Sequence, residues 1–299
     1  MNSVKNIFSI KDLENISGIK AHTIRIWEKR YNVFAPLRTE SNIRYYDLSN
    51  LQKLLNITLL HNHGYKISRI SKIPDEKIPE IVREIITTKS VKNHAISAFK
   101  MAMINFDQTL FFKTYDELLS EKSFREVFFD IFIPLMNEIG LLWQTDTISP
   151  AQEHFISYLI KQKLLIVTEN LQIQKPKKTD RVFVLFLPAN EIHELGLMYL
   201  NYEILFHGYQ TIFLGESVPL QSLVAIKNNF ENITFISYMT VEPNKEEINK
   251  YIKLMNSQIL NDETSKVWLL GRMVEFIDDN NISPKTTIFR SINELVDYL

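Results

Sequence analysis

The chain has 299 residues, 45% of them apolar and 23% charged, with no cysteine and a formal net charge of -1. That length supports at least one full core and two or three units, and the lack of cysteine excludes disulfides, thiolate metal ligands and thiol nucleophiles. The opening MNSVKNIFSI has no signal-peptide core and no run approaches the roughly 18 uncharged apolar residues of a membrane span, so a cytoplasmic location without membrane partners is expected.

Residues 1–75 hold 12 Lys and Arg against 6 Asp and Glu, whereas the remainder hold 22 against 29. A polyanion partner is therefore expected for the N-terminal end alone. There, SIKDLENISGIKAHTIRIWEKRY (9–31) spaces Ile10, Leu13 and Ile16 as one helix, stops at Gly18, and restarts with Ile24, Trp27 and Tyr31. Two short helices around a glycine turn make a helix-turn-helix. Thr23, Arg25, Lys29 and Arg30 lie off the apolar face of the second helix, placed for phosphates or base edges in a major groove. The following NVFAPLRTESNIRYYD predicts a small β-wing carrying Arg38, Arg44, Tyr45 and Tyr46, followed by a helix over about 48–62 and a short one near 66–73.

From 77 to 172 the pattern is amphipathic and helical, with breaks near 89–90, 105–107, 121–122 and 145–150. It predicts a helical bundle of four main helices, preceded by a shorter helix near 78–87. In the longest interruption, WQTDTISPAQEH, Ser149 is placed to cap a helix that starts at Pro150. Trp143 would end one helix while Glu153 and His154 begin the next. Spacing alone reads Trp143 as core and the other two as a solvated first turn.

After a linker, KPKKTD (175–180), strand-like runs alternate with helices: RVFVLFLP, YQTIFLG, ITFISYM, KVWLLG and TTIF. Five βα units predict a flavodoxin-like, doubly wound five-stranded parallel sheet with its ligand crevice at the C-terminal strand ends. Gly196, Gly215 and Gly271 are expected at or just beyond strand ends, and no GxGxxG or GxxxxGK[ST] signature occurs. The crevice instead receives NEIHELGLMYL (190–200). A loop histidine is ordinarily a solvated residue, but His193 could hold a metal if Glu191 or Glu194 fixed its tautomer.

Residues 9–67 resemble the winged helix-turn-helix of the MerR superfamily, with Ser41-Asn42 where members commonly carry two glycines. Glu191-x-His193-x-x-Gly196, Ser237-x-Met239 and Gly271 resemble the cobalamin-binding pattern DxHxxG, SxL and GG, with 40 residues between Gly196 and Ser237. The resemblance implies that His193 is the lower axial ligand of cobalt and that the displaced nucleotide tail is buried in a slot walled by the serine and the glycines. Arg272 stands in place of the second glycine, where it would point outward, engage the tail phosphate or obstruct the slot. Trp143, nine residues, then Glu153-His154 resembles the W-x9-EH lid over adenosylcobalamin in MerR regulators of the CarH/LitR class. In members that capture cobalt with a second histidine after illumination, that histidine follows the tryptophan, where this chain has Gln144.

Together the resemblances imply three domains: 1–76 for DNA binding, 77–174 as a helical cobalamin cap and 180–299 as the cobalamin-binding α/β domain. The implied protein is a regulator, most simply a repressor and not an enzyme. It would bind double-stranded operator DNA as a dimer or tetramer under control of adenosylcobalamin and light. The alternatives are the same architecture switched by a protein partner without the cofactor, and a cobalamin-dependent methyltransferase or mutase component.

Overall fold

A computed structural model describes residues 7–299 except 40, 41, 63, 79, 80, 83–90, 145, 146 and 228. It divides into two units, 1–160 and 161–299.

In the first unit, α1 (Ile10–Ser17) opens with a capping box in which Asp12 donates its N–H to Ser9 Oγ at 3.2 Å and Ser9 its N–H to Asp12 Oδ2 at 2.7 Å. It buries Leu13 and Ile16 and ends at Gly18, whose left-handed backbone (φ 76°) returns an N–H to Glu14. Helix α2 (Ala21–Tyr31) buries Ile24 and Trp27 against it. The wing is an antiparallel pair, β1 (Leu37–Arg38) and β2 (Arg44–Tyr45). Asn42 takes φ 64° at its tip and donates its N–H to Thr39 O at 2.9 Å. Asparagine tolerates that backbone better than most residues, so it does here what a glycine would do. Tyr46, expected on the wing surface, is instead fully buried: its backbone bridges Phe8, and its hydroxyl donates to Glu28 at 3.1 Å. Helices α3 (Leu48–Asn62) and α4 (Ile67–Ile70) complete this part.

The bundle helices are α5 (Val91–Asn105), α6 (Gln108–Leu119) and α7 (Phe124–Val127), which runs through a π-turn (Phe128–Phe132) into α8 (Ile133–Gln144). The long α9 (Pro150–Gln172) follows and contains the boundary between the units. Asp107 and Ser123 cap α6 and α7, at two of the breaks expected from sequence. The core is aromatic, with Phe99, Phe111 and Phe132 fully buried and their ring centroids 5.0–6.3 Å apart. The helix expected near 78–87 and the break at 89–90 fall largely outside the described residues.

Two contacts tie α1 to this bundle. Buried Lys100, on α5, donates to Ile16 O at 3.2 Å in the last turn of α1 and also pairs with Glu138 of α8. A cation there meets the negative end of the helix dipole. Asn15 Nδ2 donates to Thr147 Oγ1 at 2.8 Å, so the segment between α8 and α9 reaches the helix-turn-helix directly.

The second unit is a five-stranded parallel sheet in the order β4-β3-β5-β6-β7, formed by β3 (Lys178–Phe186), β4 (Tyr209–Gly215), β5 (Ile233–Tyr238), β6 (Lys266–Leu270) and β7 (Thr286–Ile288). This is the flavodoxin-like order, with its switch point between β3 and β5. Strand β3 begins at Lys178, inside the expected linker, because Lys178 already pairs with Tyr209. Helices α10 (Leu195–Phe206) and α13 (Ile292–Asp297) cover the face carrying Phe183, Leu185, Ile236 and Trp268. The other face carries Val184, Phe186, Phe235 and Val267 under α11 (Leu220–Lys227) and α12 (Ile248–Ile259).

Candidate functional site

The loop after β3 meets the loop after β5 at the switch point, and Glu191 is the joint. It is 1% exposed. Its Oε2 accepts three consecutive N–H groups, from Thr240 at 3.0 Å, Val241 at 2.6 Å and Glu242 at 2.9 Å. Its Oε1 accepts the N–H of Ile192 and of His193, each at 3.0 Å, and lies 2.6 Å from His193 Nδ1. Burial alone would raise the Glu191 pKa, but these hydrogen bonds outweigh it and hold the carboxyl at about 2. A permanent carboxylate at Nδ1 puts the imidazole proton on that nitrogen and the lone pair on Nε2, which is the form of the ring that can hold a metal. The His193 side chain is 54% exposed. Of the two carboxylates flanking His193, Glu191 is the one that lies at its ring; Glu194 pairs with Lys161 of α9 instead.

The remaining crevice residues do not share one wall. Ser237 and Met239 lie on the opposite sheet face from Tyr238, as the two-residue strand period requires. Ser237 Oγ is buried and has no hydrogen-bond partner. Gly271 (φ 102°) touches the Met239 backbone so closely that a Cβ would sit 2.3 Å from the Met239 carbonyl oxygen, which only glycine permits. Gly196 lies in the first turn of α10 rather than at a strand end, against the Tyr238 ring. Arg272 opens a 3-10 turn (Arg272–Phe276) and is exposed, so it does not obstruct the space beside Gly271. The imidazole, oriented by Glu191 and half exposed, therefore fits a corrinoid bound through His193.

In the helical segment Trp143 falls in the last turn of α8, and its side chain lies outside the described residues. Glu153 and His154 stand in the first turn of α9, which Ser149 and Gln152 cap reciprocally, Ser149 N–H to Gln152 Oε1 at 2.9 Å and Gln152 N–H to Ser149 Oγ at 3.4 Å. Glu153 accepts from Ser157 Oγ at 2.7 Å, and His154 is exposed.

At the N-terminal end, a groove between α2 and the wing is lined by Arg25, Glu28, Lys29, Asn32, Arg38 and Arg44. Arg25, Lys29 and Arg30 are exposed, and Thr23 and Tyr45 half-buried. Arg38 donates to Asn42 Oδ1 at 2.8 Å, and Arg44 Nε pairs with Glu28 at 3.1 Å. Both wing cations are thereby held in place along the groove.

Residues 8–77 match the MerR HTH family regulatory protein model, and residues 95–168 match the B12 binding domain model. The chain joins a MerR-type helix-turn-helix domain to a B12-binding domain. It is 24% identical to the HTH-type transcriptional repressor CarH of Myxococcus xanthus over 79% of this chain and 81% of the relative. It is also 24% identical to the HTH-type transcriptional repressor CarA of the same organism, over 72% of this chain and 70% of the relative. The monomethylamine corrinoid protein of Methanosarcina barkeri shares the fold at 15% identity (TM-score 0.56), covering 69% of this chain and 97% of that one. Among the described residues no helix is long and apolar enough to cross a membrane.

Sequence reasoning missed three residues. Lys100 reads as one more helix-surface cation, and Asn15 as a polar residue of α1; only packing shows that both hold the DNA-binding part to the bundle. Tyr238 is the unnamed middle residue of the Ser-x-Met pattern. A large aromatic there, opposite a helix glycine, was the available signal.

Proposed function

We propose that the chain represses transcription by placing α2 in the major groove of a double-stranded operator and its wing on the flanking backbone. Adenosylcobalamin, held through His193, would set its assembly as a dimer or tetramer and hence its operator affinity. One small winged domain makes few phosphate contacts, so several domains on one assembly are needed to bind tightly. The domain limits in this reading are 1–76, 77–174 and 180–299.

The observation that carries the reading is the hydrogen bond from Asn15 to Thr147. Thr147 lies between Trp143 and Glu153, the residues proposed to cover the cofactor's upper face, so a change in that segment is felt by α1 without an intermediary. Lys100 adds a second tie from the bundle to the end of α1. Adenosylcobalamin supplies a cobalt–carbon bond that visible light breaks, which makes light a second input. The protein's part is to fix the His193 tautomer through Glu191 and to read the state of the lid segment through α1.

The test is to incubate the purified chain with adenosylcobalamin in the dark and compare its absorbance, its size by light scattering and its retention of operator DNA with those of His193→Ala. The wild type should take up the cofactor, assemble and bind DNA more tightly, and the variant should do none of these. Cofactor uptake that leaves both assembly and DNA affinity unchanged would sink the proposal.

A further inference from the structure

Tyr238 ends β5, and its side chain shares the α10 face of the sheet with Ile236. There two of its ring carbons lie 3.0 Å from where a Cβ on Gly196 would stand. The missing side chain at 196 therefore has an occupant, the tyrosine ring, packed edge to backbone. Trp268, Phe289 and Tyr298 form a closed triangle of rings with centroids 5.2–5.6 Å apart, and Phe183 abuts Trp268 at 5.3 Å. A flat group that used Gly196 as its wall would have to displace Tyr238, because protein interiors leave no spare volume of that size.

We propose that Tyr238 decides which corrinoids this chain accepts: its ring and the nucleotide tail of cobalamin compete for the space beside Gly196, so corrinoids without that tail bind in preference. The inference rests on the corrinoid reading of the crevice given above. The tyrosine is half-buried, so its ring leaves by turning toward solvent, and cobalamin binding carries the cost of exposing it. Tail-less corrinoids meet His193 without that cost. Exposing an aromatic side chain of this size corresponds to a preference of about tenfold or more.

The experiment titrates the full chain in the dark with adenosylcobalamin and with adenosylcobinamide, which lacks the nucleotide loop, following absorbance and equilibrium dialysis. The wild type should favour adenosylcobinamide by about tenfold or more. Tyr238→Thr, a small residue at home in a strand, should raise adenosylcobalamin affinity by a similar factor and leave adenosylcobinamide within about twofold. Tyr238→Phe should behave as the wild type. The wild-type preference needs no variant, so a variant that fails to fold does not shelter the proposal. Binding of both corrinoids without preference overturns the role of Tyr238 alone. Binding of neither overturns it together with the corrinoid reading, since adenosylcobinamide asks nothing of the space beside Gly196.

Discussion

Glu191 Oε1 lies 2.6 Å from His193 Nδ1 while its Oε2 gathers the N–H groups of residues 240–242, so one carboxylate orients the imidazole and closes the switch point. The two roles separate by substitution. Glu191→Gln keeps an oxygen for the three N–H groups but leaves the imidazole facing an amide; the fold should survive and corrinoid affinity should fall about 10–100-fold. Glu191→Ala orphans the buried N–H groups as well and should lower stability by about 1–3 kcal/mol in urea titrations. Equal affinity and an unchanged spectrum in Glu191→Gln would show that the carboxylate does not set the tautomer.

On the DNA side, Arg25 is exposed on α2 while Arg44 is held by Glu28. Arg25→Ala and Arg44→Ala should each weaken operator binding and leave cofactor uptake intact. If either residue contacts a phosphate, its loss should also reduce the slope of log affinity against log salt by about one. Gel shifts at several salt concentrations measure both quantities, and undiminished affinity in both variants would remove this face from the interface.

What the sequence made legible follows from local rules. The 3.6-residue period of Leu13, Ile16, Ile24 and Trp27, the cap at Ser149, and the five apolar strand runs all need only near neighbours, and all appear in the structure as expected. Tyr46 was misplaced because its burial comes from pairing with Phe8 and Glu28, distant in sequence. The same holds within the crevice. The order of Glu191, His193, Gly196 and Ser237 can be read from the chain, but that Gly196 faces Tyr238 and not Ser237 depends on which strand face α10 covers.

Lys100 should be costly to lose. Lys100→Met leaves the Ile16 carbonyl and Glu138 without their shared cation. Because Glu138 is half in solvent, the expected loss is about 1–3 kcal/mol rather than the larger figure for a fully buried pair. Urea unfolding followed through tryptophan fluorescence, with Trp27 as the reporter in the winged domain, measures it. An unchanged midpoint would mean that α1 is not held by this contact.

The second unit carries its own acid sensitivity at Asp262. Burial opposes its ionisation, but Lys227 and hydrogen bonds from Ser265 and Thr264 prevail and hold the carboxyl well below the ordinary carboxylate range. A depressed folded pKa contributes stability above the unfolded value of 3.8 and loses it as pH falls toward the folded one. Asp262→Asn should therefore lower the melting temperature at pH 7, and the gap from wild type should narrow below about pH 4. A gap independent of pH would assign the loss to packing.

The final prediction concerns illumination and follows from Gln144. An amide is a far poorer cobalt ligand than a neutral imidazole, and the proposed lid segment carries one imidazole, His154, 78% exposed near the start of α9 and 3.7 Å from Glu153. The illuminated wild type should therefore lack the spectrum of a corrinoid with nitrogen donors on both faces, and Gln144→His should acquire it. Light should still lower operator affinity in both proteins, because in the proposed reading the segment that covers the cofactor contains Thr147, which bonds Asn15 whichever residue follows Trp143. A two-nitrogen spectrum in the wild type that disappears in His154→Ala would make His154 the ligand, and one that persists in that variant would place the lid elsewhere. Absorbance unchanged by light in the wild type would remove light as an input and leave dark cofactor binding as the signal.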